Sequence, residues 1–208
     1  VPLTTDALSV TGNITCKEDG ISAQTRGTIL KQNPNVRFPV PLTSLRVWDA
    51  MQTNLPGTAA TDDLAIIGGT FGSAPPLIQA GDCKAAGAVT RYARFEVPVP
   101  ECYDAAETLS FILSAGMKTT IADTSCTIDL QVYELDKISG ISADLCVTAA
   151  MTMNSLVFGD KTFSITPTTL AAGDMLDVRV AITCTDAATA TAVTPTIAAI
   201  DLVCDIKG

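Results

Sequence analysis

Histidine is absent from all 208 residues, so any chemistry here must come from other side chains. Without imidazole there is no Ser-His-Asp or Cys-His nucleophile, and most zinc and iron sites lose their commonest ligand. Paired carboxylates, a serine-lysine pair or a bound cofactor remain. The carboxylate pairs are Asp62-Asp63, Asp104 with Glu107, and Asp201 with Asp205. A glycosidase holds two such groups about 5 to 10 Å apart across a cleft and needs groups that grip a sugar. One Trp and three Tyr are a thin supply of sugar platforms. Asp62-Asp63, between "TAAT" and "LAIIGG", reads as a solvated turn, with calcium binding as the alternative. "GGTFG" has no Lys-Ser/Thr to make a phosphate loop, so its glycines mark a bulge or bend. Trp48, beside Leu45 and Val47, reads as a core or subunit-interface anchor before a ligand platform. No catalytic, metal-binding or cofactor-binding residue is assigned, and no enzyme activity is expected.

Seven cysteines (Cys16, Cys83, Cys102, Cys126, Cys146, Cys184, Cys204) are odd in number and show no close ligand spacing, which argues against zinc. Cys126 keeps step with Ile128, Leu130 and Val132, Cys184 with Val178, Val180 and Ile182, and Cys204 with Ile200 and Leu202. These thiols are expected to face a core as small apolar fillers, a buried disulfide being the alternative.

The elements that would position these groups are strands. Alternation with a period of two runs through "TRYARFEVPV", "TLSFILSAGM", "TIDLQVYELD", "LVFGDKTFSIT", "MLDVRVAITC" and "TIAAIDLVCDI", with "LRVWD" and "DLAIIGGTF" as earlier candidates. Helical signal is poor, and its best stretch is residues 142 to 153, opening on Ser142. "PECYDAAETLSFIL" from Pro100 aligns without a gap on "PTTLAAGDMLDVRV" from Pro167, with Tyr103 over Leu170 and Phe111 over Val178. Each copy predicts a proline stop, an apolar plug in the turn and a new strand. Two three-strand meanders facing each other would make an all-β, jelly-roll-like β-sandwich over residues 45–208.

Residues 1–44 read as an extended arm, since "KQNPNVRFPVPLT" holds three prolines within eight residues. Through residue 46 five basic residues face three acidic ones; beyond it eight face nineteen, within a net charge of −9. A mildly basic arm, with Arg26, Lys31, Arg37 and Phe38, is expected to lie on an acidic neighbouring subunit or on another protein of the same assembly. The acidic balance argues against nucleic acid as a partner. No segment is apolar enough for a membrane-spanning helix, and the start "VPLTTDALSV" lacks a signal-peptide layout, which predicts synthesis in a cytoplasm.

Along "TSLRVWDAMQTNLPGTAATDDLAIIGGTFG", "CKAAGAVTRYARF", "SAGMKTTIADTS", "DKTFSITPTTLAAGDMLDVRVAI" and the terminal "DIKG", the chain resembles a group of uncharacterised proteins of tailed bacteriophages and environmental viral sequences, over roughly residues 26 to 208. Cys83 stands where that group has Leu in "DLKAAG". The resemblance implies a virion structural protein, a head decoration (cement) subunit on the capsid surface. Its implied partners are the major capsid protein and copies of itself in a homotrimer. A receptor- or glycan-binding tail or fibre component is the alternative, expected to show an aromatic cluster from Tyr92, Tyr103 or Tyr133 at one end of the sandwich. A jelly-roll shell subunit is a further alternative.

Overall fold

A computed structural model describes residues 35–85, 87–105, 107–135, 140–187 and 191–207. The strands are β1 (Asn35–Pro39), β2 (Arg46–Val47), β3 (Ala50–Asn54), β4 (Ala65–Ile67), β5 (Leu77–Gln79), β6 (Gly87–Pro98), β7 (Leu109–Met117), β8 (Ser125–Leu135), β9 (Met151–Thr152), β10 (Gly159–Ile165), β11 (Met175–Asp186) and β12 (Pro195–Asp205). All six long strands expected from alternation are present. In β11 every second residue is buried, from Leu176 to Cys184, because those apolar side chains share one face of the pleat.

The strands form two antiparallel sheets. One runs β10-β7-β12-β5-β4, with β1 also paired to β12; the other runs β3-β2-β6-β11-β8-β9. Between them Phe95 of β6 meets Phe111 of β7 edge to face, 5.8 Å between ring centres. The fold is an all-β sandwich.

Its connectivity corrects the expectation of two meanders. The long strands β6, β7, β8, β10, β11 and β12 alternate between the sheets, so chain neighbours face each other across the core. Period-two patterning says which face is buried but not which sheet a strand joins. The local device of the repeat is nonetheless found in both copies. Tyr103 N–H donates to the Pro100 carbonyl at 2.9 Å and Leu170 N–H to the Pro167 carbonyl at 3.1 Å. Both plugs are buried, and the strands that follow, β7 and β11, each have a neighbour on both sides.

Residues 142–150 form no helix. The serine and aspartate here bond to the backbone instead, a competition that disfavours helix. Glu134 N–H donates to Ser142 Oγ at 2.9 Å, and Val132 and Cys146 N–H both donate to Asp144 Oδ1 at 3.0 Å. The segment therefore runs along β8.

The glycines of "GGTFG" mark the end of β4. Gly68 and Gly69 both have φ of +79°, and a Cβ on Gly68 would stand 2.3 Å from the Pro75 carbonyl oxygen. Gly68→Ala is accordingly expected to destabilise by about 1–3 kcal/mol, read as a lower urea midpoint; an unchanged midpoint would mean the turn can open freely.

Cys83, Cys126, Cys184 and Cys204 are buried, and the six described cysteines are unpaired. Cys16 lies outside the described residues. Of the residues assigned to the arm, those before Asn35 also lie outside them. Asn35–Pro39 is extended as its prolines require, and it pairs antiparallel with β12, Val36 opposite Cys204 and Phe38 opposite Leu202. Among the described residues no helix is long and apolar enough to cross a membrane.

Candidate functional site

The second sheet turns a half-buried polar face outward. Strand parity fixes its membership: while Ala93, Phe95, Val178, Val180, Leu130 and Val132 point into the core, their neighbours point out. Pairing then aligns those neighbours in rows. Arg46 of β2, Arg94 of β6, Arg179 of β11 and Gln131 of β8 make one row across four strands. Glu96, Asp177 and Tyr133 make the next, and Tyr92, Ala181 and Asp129 the row on the other side.

Trp48 sits at the margin of this face. Its indole N–H donates to Asp62 Oδ2 at 3.0 Å, and its ring packs on Tyr92, 5.1 Å between centroids and tilted 48°. Asp62 is fixed in turn, because its carbonyl accepts the Tyr92 N–H at 2.7 Å while Leu64 N–H donates to the Tyr92 carbonyl at 2.8 Å. Asp62-Asp63 thus lies at a turn as expected, but half-buried and not fully solvated, and Asp62 also locks the tryptophan in place. Burial, with Asp62 and Asp49 nearby, pushes the Asp63 carboxyl above its ordinary value, against a hydrogen bond from the Trp48 backbone.

Arg179 lies over both rings, its guanidinium carbon 5.5 Å from the Trp48 centre and 4.9 Å from that of Tyr92. This is cation–π geometry. The same guanidinium donates to Gln131 Oε1. Arg94 is held side-on by Asp177, with Nε and Nη2 each 2.6 Å from a carboxylate oxygen. Trp48, Arg94, Gln131, Tyr133, Asp177 and Arg179, with Ile141 from the following loop, line an open cavity of about 310 Å³. Asp129, on the same face, has its carboxyl raised mainly by burial; a hydrogen bond from the Leu130 backbone and the charge of Arg179 pull it down, while Asp144 raises it.

A second feature lies at the sandwich edge. Phe38, Pro39, Val40 and Pro41 face Val97, Pro98 and Pro100 across an apolar groove of about 350 Å³. Four of those residues are prolines and have no N–H to offer a ligand or water.

The residues singled out from sequence fall in different places. Arg26 and Lys31 lie outside the described residues. Arg37 reaches two acids of its own sandwich, Asp160 at 3.3 Å and Asp201 at 3.4 Å. Phe38 lines the edge groove, and Trp48 lines the face cavity. Of the tyrosines, Tyr103 is buried and its hydroxyl donates to the Glu107 carbonyl at 2.9 Å. Tyr92 and Tyr133 do gather with Trp48, on the sheet face and not at one end. Arg94, Gln131, Asp177, Arg179 and Ile141 were not foreseen, although the outward parity of Arg94, Asp177 and Arg179 was already readable in "TRYARFEV" and "MLDVRVAI".

No known protein family matches the chain, and no curated protein matches it. Solved structures of similar architecture include one from a study of carbohydrate-binding modules of the β-sandwich superfamily, 12% identical with a TM-score of 0.43, covering 78% of this chain and 58% of that one. The chain therefore spans little more than half of that structure's length. Another is the structure of infectious bursal disease virus Gx strain, 14% identical with a TM-score of 0.32, covering 61% of this chain and 29% of that one. A third is the enzymatically active domain of tailspike protein 4 of Bacteriophage CBA120, 9% identical with a TM-score of 0.34, covering 69% and 18%. At such identities and scores none of them lends its ligand or its assembly to this chain.

Proposed function

We propose that the chain is a non-enzymatic structural protein of a virus particle, a decoration (cement) subunit that binds the major capsid protein and copies of itself on the head surface. The observation that carries this reading is the edge groove between Phe38–Pro41 and Val97–Pro100. Its proline walls favour apolar contact over hydration, and β1 beside it pairs, among the described residues, only with β12, leaving a strand edge open for a neighbour. The charge contrast between the first 46 residues and the rest suits head-to-body contact between copies.

The test is the copy number of the chain in purified particles, measured by quantitative mass spectrometry against the major capsid protein. A ratio near one to one is expected; absence from particles would discard the reading. Pro98 is exposed on the groove, so Pro98→Asp is expected to cut incorporation about tenfold with an unchanged melting curve. Deleting residues 1–34, which stops short of β1, is expected to abolish incorporation and leave the sandwich folded. Normal incorporation of both variants would mean that neither groove nor arm makes the tie.

A second reading, a glycan-binding virion component, is favoured by one specific observation: the cavity on the outer sheet face where Trp48 and Tyr133 stand among hydrogen-bonding side chains.

A further inference from the structure

The row Arg46–Arg94–Arg179 places three of the chain's thirteen basic residues side by side in a protein of net charge −9. Like charges opposite one another destabilise a sheet, and among the described residues a hydrogen-bonded acid partner serves only the middle one. Asp177 takes Arg94, whereas Arg46 and Arg179 donate to the neutral amide oxygens of Asn54 and Gln131. Glu96 and Asp129 act on Arg94 and Arg179 through space, without a hydrogen bond to either.

Arg179 is held in place by stacking on Trp48 and Tyr92 and by its bond to Gln131. A guanidinium has five N–H donors in a planar fork. One engaged donor leaves the others available at the cavity, and a fixed fork with spare donors matches a carboxylate. Around it are groups of a different kind: Tyr133 and an Ile141 that is 67% exposed, which offer apolar cover, and Gln131 and Asp177, whose amide and carboxylate suit hydroxyl groups. The cavity is at the small end of ligand sites, which run from about 300 Å³ upward.

We propose that this cavity binds the carboxylate-bearing residue of an acidic saccharide, with Arg179 pairing with the carboxylate, Gln131 and Asp177 with its hydroxyls, and Trp48, Tyr133 and Ile141 covering its C–H surface. The proposal rests on the glycan-binding reading of this face and is independent of the edge groove.

Trp48 is the only tryptophan, so its fluorescence reports on this cavity alone. The full chain is titrated with oligogalacturonate and, in parallel, with the neutral oligogalactose of the same length. The expected result is a saturable change in Trp48 emission with the acidic oligomer only, weakening as salt rises. Arg179→Gln should bind about 10- to 100-fold more weakly, with an unchanged circular dichroism spectrum. Should that variant fail to fold, Arg179→Lys, which keeps the charge and loses the fork, is expected to weaken binding by about tenfold. Equal binding of the two oligomers, or full affinity in the folded Arg179 variants, would overturn the acidic class and leave a glycan site standing. Silence with both oligomers, confirmed by calorimetry, would remove the glycan site as well.

Discussion

Phe111→Ala is expected to lower the stability of the sandwich by about 3–5 kcal/mol. Phe111 is fully buried in the middle of β7, level with Phe163 of β10 on one side and Leu202 of β12 on the other. It also meets Phe95 of the opposite sheet at 81° and 5.8 Å, an edge-to-face pair that adds about 0.5–1.5 kcal/mol beyond area burial. One side chain thus touches both layers, and neither sheet can close the void alone without sliding its strands. Against a domain stability of about 5–15 kcal/mol, that is at least about a fifth of the total. The measurement is the urea midpoint with an unchanged slope. Phe71, fully exposed in the loop after β4, provides the contrast: Phe71→Ala should stay within about 0.5 kcal/mol. A loss at Phe111 no larger than at Phe71 would mean the two sheets do not meet where the structure joins them.

Why Phe111 was readable and the sheet order was not follows from what alternation encodes. "TLSFILSAGM" puts Leu109, Phe111, Leu113 and Met117 on one side of a pleat whatever strand lies next to it, and all four are buried. Ser110 and Gly116, on the opposite face, are buried too; Gly116 has the Ser155 carbonyl and the Phe158 ring against it. A loop more than thirty residues away covers that side, and no local pattern announces it. Short strands such as Leu77–Gln79 and Met151–Thr152 escaped for a related reason. They are strands because a long neighbour offers them an edge, β12 in one case and β8 in the other, and two or three residues cannot show a period. The candidate site divides the same way. Parity placed Tyr92 and Arg94 on the outer face of β6, but the row linking Arg94 to Arg46, Arg179 and Gln131 exists only in the register between strands. Asp62 was legible as a turn residue, whereas its bond to the Trp48 indole depends on a segment 14 residues away in sequence.

Alkaline pH should unfold the protein sooner than its surface charge alone would, and the buried thiols decide where. Cys126 and Cys184 are directly opposite on β8 and β11. The Cys184 thiol is pushed up to about 12, first by its hydrogen bond with Cys126, against a contact with Cys83 that works the other way, with burial and the charge of Asp186 adding to the rise. Cys83 is raised as well, by its hydrogen bond with Cys184 and by burial. Cys204, on β12, is pushed up to about 11 by burial, with Cys102 and Asp205 adding to it. In the unfolded chain these thiols return to an ordinary value near 9.0. Well below pH 9 both states hold their protons, so the thiols add no pH dependence there. Between pH 9 and the folded-state values the unfolded chain releases protons that the folded chain keeps, and stability falls as pH rises. Each thiol contributes up to about 1.4 kcal/mol per pH unit, so Cys184 and Cys204 together remove about 4 kcal/mol between pH 9 and pH 11. The urea midpoint, followed in reductant at pH 7, 8, 9, 10 and 11, should be nearly flat to about pH 8 and fall steeply above pH 9. Cys184→Ala separates this cause from general charge repulsion, because it lowers stability slightly at pH 7 yet flattens the alkaline limb by one thiol's share. If its limb is as steep as that of the parent chain, ionisation of Cys184 is not what the folded state resists. The same raised values require the buried thiols to stay nearly unreactive toward iodoacetamide at pH 8 while the fold holds, which is how cysteines behave when they serve a β-sandwich as small apolar side chains.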